Sequence, residues 1–235
     1  MSQRIAIVTG ASRGIGRAIA IKLASLGYRV GLIARSIESL RDLAVEITKS
    51  GGSADFEIAD FADVQAAAGA AAKLADRFGG TDVIVHNAGV FIEKSVANLT
   101  TEEWAQTQNV NVTSPFAITR ALLPALKKSG DGRIVFIGST ASSQGYVNQS
   151  AYVASKHALL GLARSLAIDL KPEGIHVHTV SPGAVETDLI KGTYLWKRTR
   201  GETMIAPEDV ADTVAFLISQ PARLDLQEFT IRRFH

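Results

Sequence analysis

The chain has no cysteine, which excludes disulfides, thiolate metal sites and cysteine nucleophiles and leaves a reducing compartment permitted. It also has little surplus charge: 25 Lys and Arg stand against 23 Asp and Glu, for a formal net charge of +2. Nucleic-acid binders concentrate basic residues on one face, and this balance offers no such footprint. Long apolar runs are missing as well. Ile5-Ala6-Ile7-Val8 is too short for a signal core, and no small-residue cleavage site follows it. No stretch approaches the roughly 20 apolar residues of a membrane helix, so a soluble cytoplasmic protein is expected. The histidines at 86, 157, 176, 178 and 235 lack the spacing of a carboxylate-supported cluster, and no metal site is expected. Linkers, low-complexity tracts and repeats are absent too, so residues 1–235 read as one domain.

What the chain does have is alternation. β-rich runs recur at Arg4–Thr9, Tyr28–Ile33, Ser53–Ile58, Asp82–His86, Gly132–Gly138, Ile175–Ser181 and Glu228–Arg232. Segments with helical periodicity lie between them: Gly14–Leu26, Ile37–Lys49, Ala62–Phe78, Glu102–Lys127, Ala151–Leu170 and Glu208–Ser219. Continuously apolar strands such as Ile134-Val135-Phe136-Ile137 imply burial on both faces, as in a parallel sheet. The fold class that follows is α/β: one doubly wound parallel sheet of about seven strands with helices on both faces. Only residues 186–206 break the rhythm. Their glycines, aromatics and bases suit a flexible lid beyond a strand's carboxyl end, or a basic surface segment.

The first strand runs into Thr9-Gly10-Ala11-Ser12-Arg13-Gly14-Ile15-Gly16. Glycines there permit a tight turn and a close approach of backbone N–H groups to a pyrophosphate, which the amino terminus of the following helix also favours. After the second strand, an NAD site would carry an acid for the ribose hydroxyls. Ala34-Arg35-Ser36 stands there instead. Arg35, with Arg13 in the turn, suits a 2′-phosphate, so NADP(H) is the expected cofactor.

Tyr152 and Lys156, at i and i+4, share one face of a helix for which Ser150 is the expected cap. An ammonium some 5 Å from the phenol would favour phenolate by about 3 kcal/mol at an effective dielectric near 20, or roughly two pH units. Such a tyrosine could exchange a proton near neutral pH.

These segments, together with Asn87-Ala88-Gly89, Asn111, Ser139, Tyr152-Val153-Ala154-Ser155-Lys156 and Ser181-Pro182-Gly183 with Thr187, follow the order and spacing of classical short-chain dehydrogenases/reductases. The chain resembles that family from about Ile5 to Ser219, closest in flavour to the reductases of 3-oxoacyl thioesters. The resemblance implies a Rossmann-type fold and an oxidoreductase moving a hydride between NADP(H) and a carbonyl or alcohol carbon. It implies that Ser139 polarises the substrate oxygen, that Tyr152 is general acid or base, that Lys156 holds the nicotinamide ribose, and that Asn111 fixes a water on the proton path. Asp60, with Phe61 beside it, would meet the adenine, Asn87-Ala88-Gly89 would line the cofactor, and Pro182, Gly183, Val185 and Thr187 would face the nicotinamide. Candidates for the substrate pocket are Glu93, Thr140, Gly145, Tyr146, Val185, Tyr194 and Trp196, with Glu93 disfavouring an anion if it points inward. A 3-oxoacyl ester or related ketone is the expected substrate, the reverse oxidation of a hydroxy acid, sugar alcohol or hydroxy amino acid the alternative, and a non-catalytic nucleotide sensor the third reading. The family pattern also implies a homo-oligomer, tetramer or dimer, pairing the helices 102–127 and 151–170. The end of the chain, Glu228 to His235, lacks the usual Gly-Gly turn, and Glu173 stands where carrier-protein reductases carry a base, so docking of an acyl carrier protein is possible but not supported.

Overall fold

The computed structural model describes residues 3–199 and 204–234. The element order is β1 (Ile5–Thr9), α1 (Gly14–Ser25), β2 (Arg29–Ala34), α2 (Ile37–Lys49), β3 (Ser53–Ile58), α3 (Val64–Phe78), β4 (Val83–His86) and α4 (Thr101–Gln108). It continues with α5 (Ser114–Ser129), β5 (Gly132–Ile137), α6 (Ser150–Asp169), β6 (Ile175–Pro182), α7 (Tyr194–Thr199), α8 (Pro207–Ile218) and β7 (Glu228–Ile231). The seven strands form one sheet in the order β3-β2-β1-β4-β5-β6-β7, and every pairing is parallel.

A parallel sheet hides both faces, and two apolar layers do so here. On one face Ile19 and Leu23 of α1, Leu40, Leu43 and Ile47 of α2, and Val210, Val214 and Leu217 of α8 cover Val8, Val30, Val85 and Val135. On the other, Leu74 of α3, Ile118, Leu122 and Leu126 of α5, and Leu159 of α6 cover Ile7, Ile33, Ile84 and Phe136. Strand order reverses between β1 and β4, the position at which open α/β sheets bind ligands beyond the strand ends.

Two local expectations change. The periodic stretch 102–127 is not one α-helix: a π-helical turn over Asn109–Thr113 separates α4 from α5. Pro115, near the start of α5, has no N–H, so the Asn111 carbonyl loses the donor an α-helix would give it. The Asn111 side chain meanwhile bonds outside its own helix, as described below. Ser150 does not cap α6 either; it is the first helical residue, and Gln149 precedes it with no side-chain cap bond. The expected lid is described except for 200–203, which lie outside the described residues; α7 and a bridge between Val185 and Ile205 give it structure. No helix among the described residues is long and apolar enough to cross a membrane.

Two histidines of the sheet are held without charge. His86 is buried, stacks on Phe136 at 4.9 Å and bonds Thr119 through Nε2 at 2.8 Å. Burial pushes its pKa down to about 3, and that of His178 to about 4. Both groups take up protons in the unfolded chain before they do in the fold, so their contribution to stability is full above pH 6.5 and lost as pH falls below it. Going from pH 7 to 5 is expected to cost about 2 kcal/mol through each. Urea unfolding at the two pH values checks this: His86→Asn should remove roughly half of the loss, and an unchanged slope would rule the group out.

Candidate active site

Two cavities adjoin at the carboxyl ends of the strands, of about 670 Å³ and 470 Å³, and Ile15, Asn87, Gly89 and Thr187 belong to both. The larger is built on the first turn. Gly10 holds φ +65°, and a Cβ on Gly16 would stand 2.3 Å from the Gly10 carbonyl oxygen and 2.4 Å from Asn87 Nδ2. Only glycine lets the turn and the first coil of α1 approach so closely. Asn87 braces the turn from β4: its Nδ2 donates to the carbonyls of Thr9 and Gly10, both at 3.1 Å, while the N–H groups of Asn87 and Ala88 donate to Thr9 Oγ1. The helix α1 begins after Arg13 with no side-chain cap. Its first-turn N–H groups and the positive end of its dipole are left for an anion.

Around this turn the larger cavity takes Ser12, Arg13, Gly14, Arg35, Asp60, Phe61 and Ala88 into its walls. Arg35 is exposed and makes no ion pair among the described residues. Arg13 stands 4.0 Å from Asp188. Asp60 Oδ1 accepts the N–H of Ala62 in the loop before α3, which Asp63 caps. An uncapped helix end, a glycine cradle and an unpaired guanidinium in one cavity of this size fit a phosphorylated dinucleotide.

The smaller cavity contains Ser139, Tyr152 and Lys156. Tyr152 and Lys156 stand on α6, and Lys156 Nζ lies 5.7 Å from the Tyr152 ring centroid while donating to the Ile137 carbonyl at 2.8 Å. Ser139, just past β5, accepts the Ala141 N–H at 3.1 Å and hydrogen-bonds the phenol. The electrostatics differ from the sequence expectation. Burial pushes Tyr152 up to about 12, outweighing the Ser139 hydrogen bond that lowers it, and burial pushes Lys156 down to about 8. Desolvation of the phenolate decides the sign, so at neutral pH the phenol keeps its proton.

Pro182, Gly183, Val185, Thr187, Thr140 and Tyr146 also line this cavity, and Tyr146 donates to Thr140 Oγ1 at 2.9 Å. Glu93, Gly145, Tyr194 and Trp196 are not among its described walls. Glu93 instead accepts the Tyr194 N–H at 2.6 Å, where the chain enters α7. Asn111 enters neither cavity. Its Oδ1 accepts the Val90 N–H at 2.9 Å, and Nδ2 donates to the Val90 carbonyl and Ser155 Oγ, both at 3.0 Å, so its amide braces the β4 loop against α6. Arg198 enters the cavity from the expected basic lid, while sequence reasoning missed Phe91, whose ring meets Tyr152 edge-on at 4.9 Å, and the arginines 232 and 233. The departure from the family pattern after β7 was the available signal for the last two. Among the described residues no group of His, Asp or Glu is placed to hold a metal ion.

Comparison with known proteins agrees with this geometry. The sequence profile described as short chain dehydrogenase matches residues 4–198. A 3-oxoacyl-acyl-carrier-protein reductase of Vibrio cholerae is 33% identical over 225 residues, covering 93% of this chain and 91% of its own. A metagenomic short-chain oxidoreductase solved in complex with NADP is 36% identical, with a TM-score of 0.86 over 99% of this chain and 97% of its own. An alcohol dehydrogenase of the archaeon Thermococcus sibiricus, complexed with 5-hydroxy-NADP, is 29% identical and covers the whole of both chains with a TM-score of 0.89. The chain belongs to the short-chain dehydrogenase family.

Proposed function

We propose that the protein reduces a carbonyl compound with NADPH, using Tyr152 as the proton donor. The observation that carries this reading is the adjacency of the two cavities: those of the uncapped end of α1 and of the Ser139–Tyr152–Lys156 cluster share Ile15, Asn87, Gly89, Thr187 and Leu189. NADPH, when bound, supplies the hydride. The turn from Gly10 to Gly16 would hold its pyrophosphate, Arg35 with Arg13 its 2′-phosphate, and Lys156 its nicotinamide ribose.

The remaining work is proton handling and orientation. Ser139 hydrogen-bonds the carbonyl oxygen and turns it toward the phenol. Tyr152, protonated at neutral pH because its phenolate is poorly solvated, gives its proton to that oxygen as negative charge builds there. Phe91 fixes the tyrosine ring and keeps water from one edge of it. A 3-oxoacyl ester or related ketone remains the substrate this chemistry suits, and the Vibrio cholerae relative is a 3-oxoacyl-acyl-carrier-protein reductase.

Three measurements test the reading. Tyr152→Phe is expected to lower kcat for ketone or acetoacetyl-thioester reduction on the order of a thousandfold, with NADPH affinity within about twofold of the parent. Retained turnover would remove Tyr152 from the chemistry. Arg35→Ala should raise the NADPH KM by about tenfold or more, the size of a lost charge-assisted contact, and leave the NADH KM unchanged. An equal rise for both cofactors would place Arg35 elsewhere. Finally, Trp104 on α4, Phe116 on α5 and Ile168 on α6 are 41%, 44% and 75% exposed, and a second copy of the chain covering these helices accounts for them. Sedimentation at micromolar concentration should give a dimer or tetramer; a monomer would end this part of the proposal.

A further inference from the structure

Among the described residues, every charged wall of the cavity holding Ser139 and Tyr152 is basic. Its described walls include Lys156, Arg198, Arg232 and Arg233, and no Asp or Glu. These cations come from separate parts of the chain. Arg198 stands on α7. Arg232 and Arg233 follow β7, where Ile231 pairs with Pro182 and accepts the Gly183 N–H at 2.9 Å, so the residues after that strand arrive over the strand end on which the cavity opens.

Among the described residues, three acidic side chains near the cavity are engaged elsewhere, while Glu186 is exposed and not among its walls. Glu93 accepts the Tyr194 N–H, Asp188 pairs with Lys191 at 2.5 Å, and Glu228 pairs with Arg164 at 2.7 Å. Lys156 is held by the Ile137 carbonyl. Arg198 and Arg232 make no ion pair among the described residues, and both are exposed at the rim. Much of the remaining wall is apolar, with Phe91, Leu189, Ile190 and Leu195 in it. The exposed guanidinium groups of Arg198 and Arg232, beside these apolar walls, draw counter-charge. Phosphates of the dinucleotide do not supply it, because their cradle, the α1 end and Arg35, belongs to the adjoining cavity.

We propose that the substrate is an oxo compound carrying a negatively charged group, carboxylate or phosphate, which Arg198 and Arg232 receive while the carbonyl oxygen rests at Ser139 and Tyr152. This inference names the substrate class for the reductase reading and rests on it.

Calorimetric titration of the protein loaded with NADP⁺ tests it through binding, independently of turnover. The probes are 4-oxopentanoate against its methyl ester, and dihydroxyacetone phosphate against dihydroxyacetone. At least one anion is expected to bind about tenfold more tightly than its neutral partner, with the gap closing as salt is added. Which pair shows the gap separates carboxylate from phosphate. Arg232→Gln and Arg198→Gln should each narrow it, and the Lys variants at both positions should restore most of it, which a merely structural role would not do. Equal binding of both anions and their neutral partners, or a gap untouched by either Gln variant, overturns the inference. Selective anion binding without any NADPH turnover would leave an anion site at Arg198 and Arg232 but remove the reductase reading, and with it the assignment of that anion as substrate.

Discussion

The site depends on one junction, the bonding of the first turn to the end of β4. Strand order reverses between β1 and β4, so no helix covers the gap and a ligand can lie across it. Such a gap needs a rigid floor. Thr9 Oγ1 accepts two backbone N–H groups from the β4 end, and the Asn87 amide returns two bonds to the turn. With Gly16 pressed against the same atoms, turn, helix end and strand end form a single block. Both cavities adjoin it: the one lined by the glycine turn on one side, and the one that holds Ser139 and Tyr152 on the other.

Much of this was legible in the sequence, for reasons that differ between residues. Strands buried on both faces announce themselves as unbroken apolar runs, so β4 and β5 could be read almost to the residue. The glycine turn and the i,i+4 pair of Tyr152 and Lys156 are local patterns whose geometry follows from backbone alone. The π-helical turn was not legible, because Asn111 is drawn out by the Val90 backbone and Ser155, which are distant in the chain. Glu93 was misplaced for a related reason: its partner is a backbone N–H some hundred residues away. Arg232 and Arg233 reach the cavity only through the register of β7 on β6, which no local pattern encodes.

The sign of the tyrosine shift turns on burial, which the spacing of the pair does not show. The spacing of Tyr152 and Lys156 shows the attraction between ammonium and phenolate. It does not show how thoroughly the fold removes water from both, and desolvation lowers the lysine while raising the tyrosine. The pair is thereby set with the proton on the phenol and a lysine poised nearer neutrality than usual, an arrangement suited to giving a proton away and drawing another in.

The π-helical turn between α4 and α5 has a consequence for how this region can change. It accommodates one residue more than a continuous α-helix would, and each residue of register turns a helix by about 100°. Shortening the stretch by one would relax the turn into regular helix, yet it would swing Ile118, Leu122 and Leu126 off the sheet they now cover or pull Asn111 from its partners. A surface loop can gain or lose residues almost freely. Here the length itself is fixed, so relatives that keep this active site should vary in residue type along these helices long before they vary in number.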